Sequence, residues 1–199
     1  IPSQNLPYPV YVFSGLLVWN IFSVGLTNAA NSMVNNALII KKIYFPRLIV
    51  PVSSVLVALF DFLMAFILLA AILIYYQQPV SWYAVVYWPL ALLIASLGTL
   101  GLGAWLAALN VKYRDFRYVI PFLVQVLFFL TPVIYPVSML PHPMLKYFMA
   151  CSPMYAAIEM FRFPISGVAP PADLLAISIS ACAILLGVGV LYFKFTEDF

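Results

Sequence analysis

The chain has 199 residues, 66% of them hydrophobic and 8% charged, with a net charge of +3 and a mean hydropathy of +1.09. A soluble domain carries about 25% charged residues because its surface faces water; here the solvent on most sides must be hydrocarbon, and the chain reads as an all-α, polytopic membrane protein lying in the bilayer with almost nothing outside it. No basic tract could grip nucleic acid, and Cys151 and Cys182 sit apart as small apolar residues rather than as a disulfide or metal site.

Residues 1–40 hold no Asp, Glu, Lys or Arg. Pro2, Pro7 and Pro9 suit a loop entering a helix, and the apolar run over 8–30 predicts a first span, made more polar toward its end by Asn20, Thr27 and Asn28. Opening on Ile1 without a positively charged stretch, the chain reads as a piece lacking its true N-terminus rather than one with a signal peptide. Lys41, Lys42 and Arg47 are the first charges met. Residues 48–60 and 62–111 are uncharged on either side of Asp61, too long a run for one helix. The stretch YYQQPVSW supplies the break, giving two antiparallel spans over 49–76 and 82–109.

The basic cluster Lys112, Arg114, Asp115 and Arg117 follows. A fourth span over 118–134 should be kinked or ended by Pro132 and Pro136. Residues 137–171 differ: they hold Pro141, Pro143, Pro153, Pro164, Pro170 and Pro171, and the apolar pieces between these are too short to cross a bilayer, so they read as interfacial or re-entrant. The fifth span covers 174–193, with Lys194 just beyond it.

Lysine and arginine near span ends mark the cytoplasmic side. Lys41, Lys42, Arg47, Lys112, Arg114, Arg117 and Lys194 fall on one side, against Lys146 and Arg162 on the other. The C-terminus is therefore expected in the cytoplasm, and a chain with a cytoplasmic N-terminus needs one more span upstream, six in all.

The runs NSMVNNALIIKKIYFPRLIVPVSSVL, LGAWLAALNVKYRDFRYVIPFLVQ and FLTPVIYPVSMLP together resemble the membrane subunit of ABC-2 type transporters, in particular the permeases that export polysaccharides such as O-antigen, capsule or teichoic acid. The ordered combination of K-x-YFPR, LN-x-x-YRD and TPVIYP carries the resemblance, which covers the chain from Pro7 onward. It implies a single transmembrane domain over 1–199, lacking the family's N-terminal interface helix and first span. It further implies a homodimer with two copies of a separate ATP-binding subunit that holds ATP and magnesium, while this chain needs no cofactor. The cargo implied is a lipid-linked polysaccharide, and the location the bacterial cytoplasmic membrane. The segment 36–47, with Lys41, Lys42, Tyr44, Phe45, Pro46 and Arg47, matches the family's coupling helix against the ATPase, and 137–171 resembles its paired outer gate helices.

From the residues alone, each site has a plainer reading. Lys41, Lys42 and Arg47 also serve as topology signals at a membrane edge. Lys112, Arg114, Asp115 and Arg117 read as a salt-bridge cluster before they read as an ATPase contact. Asp61, the one charge inside a span, is expected to bond a neighbouring helix; a proton relay would require further ionisable groups at its depth. Glu159 and Arg162 share a helical face at i, i+3 and read as a structural pair rather than a substrate site, in an outer segment framed by Pro132, Tyr135 and Pro136. Most aromatics form an interfacial belt, but Tyr11, Trp19 and Phe22 on the polar first span could stack against sugar rings. Gly98, Gly101, Gly103 and Ala104 permit close helix contact. No catalytic triad, metal-ligand spacing or phosphate-cradling loop is present, so the chain reads as a transport subunit and not an enzyme. The competing functions are export of a drug or lipid by the same fold, an ATPase-independent channel or carrier, and a membrane enzyme.

Overall fold

The structure is a computed structural model that describes residues 6–40, 42, 46–113, 115–139 and 142–196. These residues form α1 (Tyr8–Asn35), α2 (Ala37–Ile40), α3 (Ile49–Tyr75), α4 (Ala84–Lys112), α5 (Phe116–Leu130), a 3-10 turn at Val137–Met139, α6 (Pro143–Ala150), α7 (Pro153–Ser166) and α8 (Ala172–Thr196). Among them α1, α3, α4 and α8 are long and apolar enough to cross a membrane. The 15 residues of α5 are also apolar, but at 1.5 Å per residue they reach only about 22 Å, short of a hydrocarbon core about 30 Å thick.

The proline punctuation explains that early stop. Pro132 has no N–H to give and its ring crowds the preceding turn. The residue before it is driven out of the helical region, and Thr131 sits at φ −92° and ψ 133°. In contrast, α1 runs five residues past the expected end of the first span, because its polar residues bond back into the helix rather than leaving it. Thr27 Oγ1 donates to the Ser23 carbonyl at 2.7 Å and Asn31 Nδ2 to the Thr27 carbonyl at 2.8 Å.

The centre of the molecule is α1 against α4. Helix α3 lies along α1, α8 along α4, and α7 wedges between α1 and α4 at one end. Three glycines of α4 let three neighbours come close: Gly98 faces α7 at Pro153 and Met154, Gly101 faces the α8 backbone at Leu186, and Gly103 faces Ala29 of α1. The contact between Gly101 and Gly189 is main chain against main chain, since a Cβ on Gly189 would overlap the Gly101 carbonyl. Helices in lipid gain no hydrophobic drive from packing together, so close backbone approach is what binds them. The outward faces of α3, α5 and α8 stay apolar and exposed; α5 buries only Ile120 and shows Tyr118, Phe122 and Phe129 to its surroundings.

Candidate functional site

Two places combine polar chemistry with a built setting, one at each end of the helices. At the first end α5 breaks, α7 folds back beside α1, and α6 packs on α7 and α8. Here Arg162 of α7 is completely buried. Its Nη1 donates to the Tyr11 hydroxyl at 3.0 Å and to the Pro132 carbonyl at 3.3 Å, while Nη2 donates to the Tyr11 carbonyl at 3.1 Å and to that of Val133. The guanidinium also lies over the Tyr11 ring, 3.8 Å from its centroid. Glu159 stands at the expected i, i+3 distance, 3.8 Å from Nη1.

One side chain thus joins α7 to α1 and to the break after α5, and Gly15 faces it with no room for a Cβ. Helix α7 is too short to span. Burial pulls the Arg162 guanidinium down from its ordinary value, opposed by Tyr11 and then Glu159. Burial, reinforced by Glu159, pushes the Tyr155 phenol up.

Further bonds fasten the same end. Tyr135 donates its hydroxyl to the Phe129 carbonyl at 2.9 Å, taking up an acceptor that the end of α5 leaves over. Ser178 of α8 accepts from the Ala156 N–H at 3.0 Å and donates to the Ser152 carbonyl at 2.7 Å, capping α7 from another helix. Trp88 of α4 donates to the Phe161 carbonyl at 3.1 Å. Pro132 and Pro136 are both buried in this assembly.

The second end gathers Lys42, Arg47, Lys112, Arg117 and Lys194 among the described residues. Two clefts adjoin there. One of about 740 Å³ takes Arg47, Asn110, Asp115 and Arg117 into its wall, and a second of about 450 Å³ takes Arg47 again with Lys112 and Tyr192. Asn110, from the LN-x-x-YRD stretch, is buried and donates to the Ala30 carbonyl and to Asn31 Oδ1, both at 3.1 Å, tying α4 to α1. Pro46 and Lys42 are exposed and Arg47 is half-buried. Lys41, Tyr44, Phe45 and Arg114 lie outside the described residues.

Three expectations are corrected. Tyr11, Trp19 and Phe22 do not face an open path: all three are buried, because α1 is the central helix. Trp19 packs on Phe22 and Phe128 with centroids 5.0 and 5.5 Å away, and Tyr11 is occupied by Arg162. Asp61 is not bonded to a neighbouring helix; it is exposed halfway along α3, and no hydrogen bond or ion pair reaches it among the described residues. The reason is that α3 turns Ala58 and Phe62 inward and the Asp61 face outward. Lys112, Asp115 and Arg117 do not form an ion-pair cluster among the described residues; Lys112 instead stands over the Tyr113 ring, 5.5 Å from its centroid.

Sequence reasoning found the Glu159–Arg162 spacing but missed the burial of Arg162. The available signal was the Glu159 and Arg162 pair set in the otherwise apolar stretch MYAAIEMFRF.

Residues 2–165 match the family model of the ABC-2 type transporter. The chain is 32% identical over 161 residues to an O-antigen export system permease protein RfbA of Myxococcus xanthus, covering 80% of this chain and 62% of that protein. It is 29% identical over 136 residues to a protein of the same name from Klebsiella pneumoniae, covering 67% of this chain and 52% of the relative. The chain therefore spans between half and two thirds of the length of these curated relatives. With the family model covering most of its length, this chain belongs to the ABC-2 type transporter family.

Proposed function

We propose that this chain is the membrane-spanning part of a permease in an ATP-driven exporter that moves a lipid-linked polysaccharide across the bacterial cytoplasmic membrane. The observation that carries the reading is the family match together with curated relatives named as O-antigen export permeases. ATP and magnesium belong to a separate ATP-binding subunit, and two permease copies form a homodimer. The basic end is cytoplasmic by the positive-inside rule, which puts the C-terminus in the cytoplasm and α6 with α7 on the outer side.

In this reading the connection 36–47 receives the push of the ATPase, and its exposed Lys42 and Pro46 are consistent with a contact made outside the membrane. The outer segment 137–171 works as the gate, held to α1 and α5 through Arg162. ATP binding would favour one of two arrangements of the helices, and hydrolysis would release it.

The test is co-purification of the full-length permease with its candidate ATPase, next to a Lys41→Ala/Lys42→Ala variant checked for membrane insertion. Retention of the ATPase by wild type and its loss from the inserted variant supports the coupling role. A wild-type permease that purifies alone and still moves polysaccharide overturns it.

A further inference from the structure

The two clefts at the basic end share one wall, built from Met33, Arg47 and Val111. Arg117 and Asp115 also line the larger cleft and Lys112 the smaller. The described charges around the pair are three cations and one carboxylate, and the same lining holds apolar Met33, Val34, Ala37, Ile40, Ala108 and Val111. The side chains of the neighbouring connection differ in setting: Lys42 is exposed, whereas Arg47 is half-buried and borders both clefts.

Depth supplies the second argument. The clefts open where α1, α4 and α8 end, and these helices are long and apolar enough to cross a membrane, so the cations sit where headgroups sit. The rim beside them is apolar yet exposed: Leu38 is 77% and Ile39 53% accessible. Such side chains are at ease against acyl chains, and in water they would form an unfavourable patch. A basic pocket between spanning helices attracts anionic headgroups, and arginine binds phosphate through two parallel N–H donors.

We propose that the paired clefts around Arg47 bind an anionic membrane phospholipid as a resident of the protein, distinct from any transported cargo. The phosphate lies between Arg47 and Arg117, and the acyl chains leave over Met33 and the Leu38–Ile39 rim into the bilayer. Asn110 shapes the wall without donating to the lipid, since its amide is already committed to Ala30 and Asn31. Asp115 in the same wall favours a headgroup with a single negative charge over a polyanion. The binding is independent of whether the complete protein exports polysaccharide.

Native mass spectrometry of the full-length protein, released from detergent containing equimolar phosphatidylglycerol and phosphatidylethanolamine, tests this directly. The expected result is an about tenfold preference for phosphatidylglycerol, lost in Arg47→Ala/Arg117→Ala, reduced but present in Arg47→Lys/Arg117→Lys, which keeps the charge without the paired donors, and unchanged in Lys146→Ala at the opposite end. Should the double alanine variant fail to fold, Arg117→Ala alone carries the test, because that side chain is exposed. Equal retention of the two lipids by wild type overturns the proposal. So does a loss in Lys146→Ala as large as in the arginine variant, which would mean nonspecific attraction. Displacement of phosphatidylglycerol by glycerol phosphate at equal concentration would assign the site to a soluble phosphate. Displacement by a polyprenyl diphosphate at one tenth of its concentration would assign it to cargo, and either result ends the resident-lipid reading.

Discussion

Arg162 and Tyr11, 151 positions apart in sequence, are joined in three ways: through the Tyr11 hydroxyl at 3.0 Å, through its carbonyl at 3.1 Å, and by the guanidinium lying 3.8 Å from the ring centroid. The pair fixes the returning outer helix α7 to the entry of α1, and the same guanidinium reaches the break after α5. Removing the charge leaves the buried acceptors at Tyr11, Pro132 and Val133 without their donor and takes a cation from beside Glu159. Arg162→Met is therefore expected to cost about 3 kcal/mol of stability, read as a lowered melting temperature in detergent. Tyr11→Phe removes only the hydroxyl acceptor and should cost about 1 kcal/mol. Equal losses in the two variants would show that the carbonyl contacts contribute little.

Two residues adopt the same left-handed backbone, one with a side chain and one without. Gln77 at φ 51° closes α3, with its own N–H on the Ile74 carbonyl and that of Gln78 on the Leu73 carbonyl. Gly167 at φ 69° closes α7. A Cβ in this region costs about 1 kcal/mol or more, so Gln77→Gly should raise the melting temperature and Gly167→Ala should lower it. A fall in both would sink the argument, since nothing within 4 Å crowds Gly167.

The main-chain contact of α4 with α8 leaves no space for side chains. Gly101→Val would place atoms against Leu186 backbone that already lies 2.7 Å from a Cβ there. We expect the variant to insert but to melt far lower, or to be degraded. Gly187→Ala, on α8 with open space around it, is the control and should behave as wild type. Expression level and size-exclusion profile distinguish the two.

Asn110 bridges to Ala30 and Asn31 at the basic end. Asn110→Ala is expected to cost about 1–2 kcal/mol, and Asn31→Ala should cost less when added to it than on its own, because the shared bond is already gone and only the Asn31 bond to the Thr27 carbonyl is left to lose. A double-mutant cycle with additive losses would remove the bridge from the account.

Asp61 has no partner among the described residues and faces outward from α3. Asp61→Asn should leave the melting temperature of the detergent-solubilised chain unchanged within error. A clear loss would mean that the carboxylate is engaged by protein outside this chain's own packing.

Much of the architecture was legible because the bilayer imposes a simple rule. The apolar runs over 49–76, 82–109 and 174–193 correspond closely to α3, α4 and α8, since only helices satisfy their backbone in hydrocarbon. The break at Pro132 was legible as well, being a local property of proline. The end of α1 was not: hydropathy falls toward Asn28, whereas the side chains of Thr27 and Asn31 return to the helix itself. Nor was the setting of Arg162, whose acceptors lie 29 to 151 positions away. Tyr11, Trp19 and Phe22 went astray for a related reason. Polar neighbours on a span indicate protein contact but do not distinguish a packed core from a conduit.

The break after α5 carries one more implication. Three of the four acceptors for Arg162 are carbonyls of the main chain, at Tyr11, Pro132 and Val133. Main-chain oxygens are present whatever side chain the codon specifies, so the hydrogen bond at residue 133 is independent of its side chain, which answers only to packing in the core. The mutational target is small: the arginine itself, the Tyr11 phenol, the missing side chain at Gly15, and the proline that turns the end of a helix into a receptor.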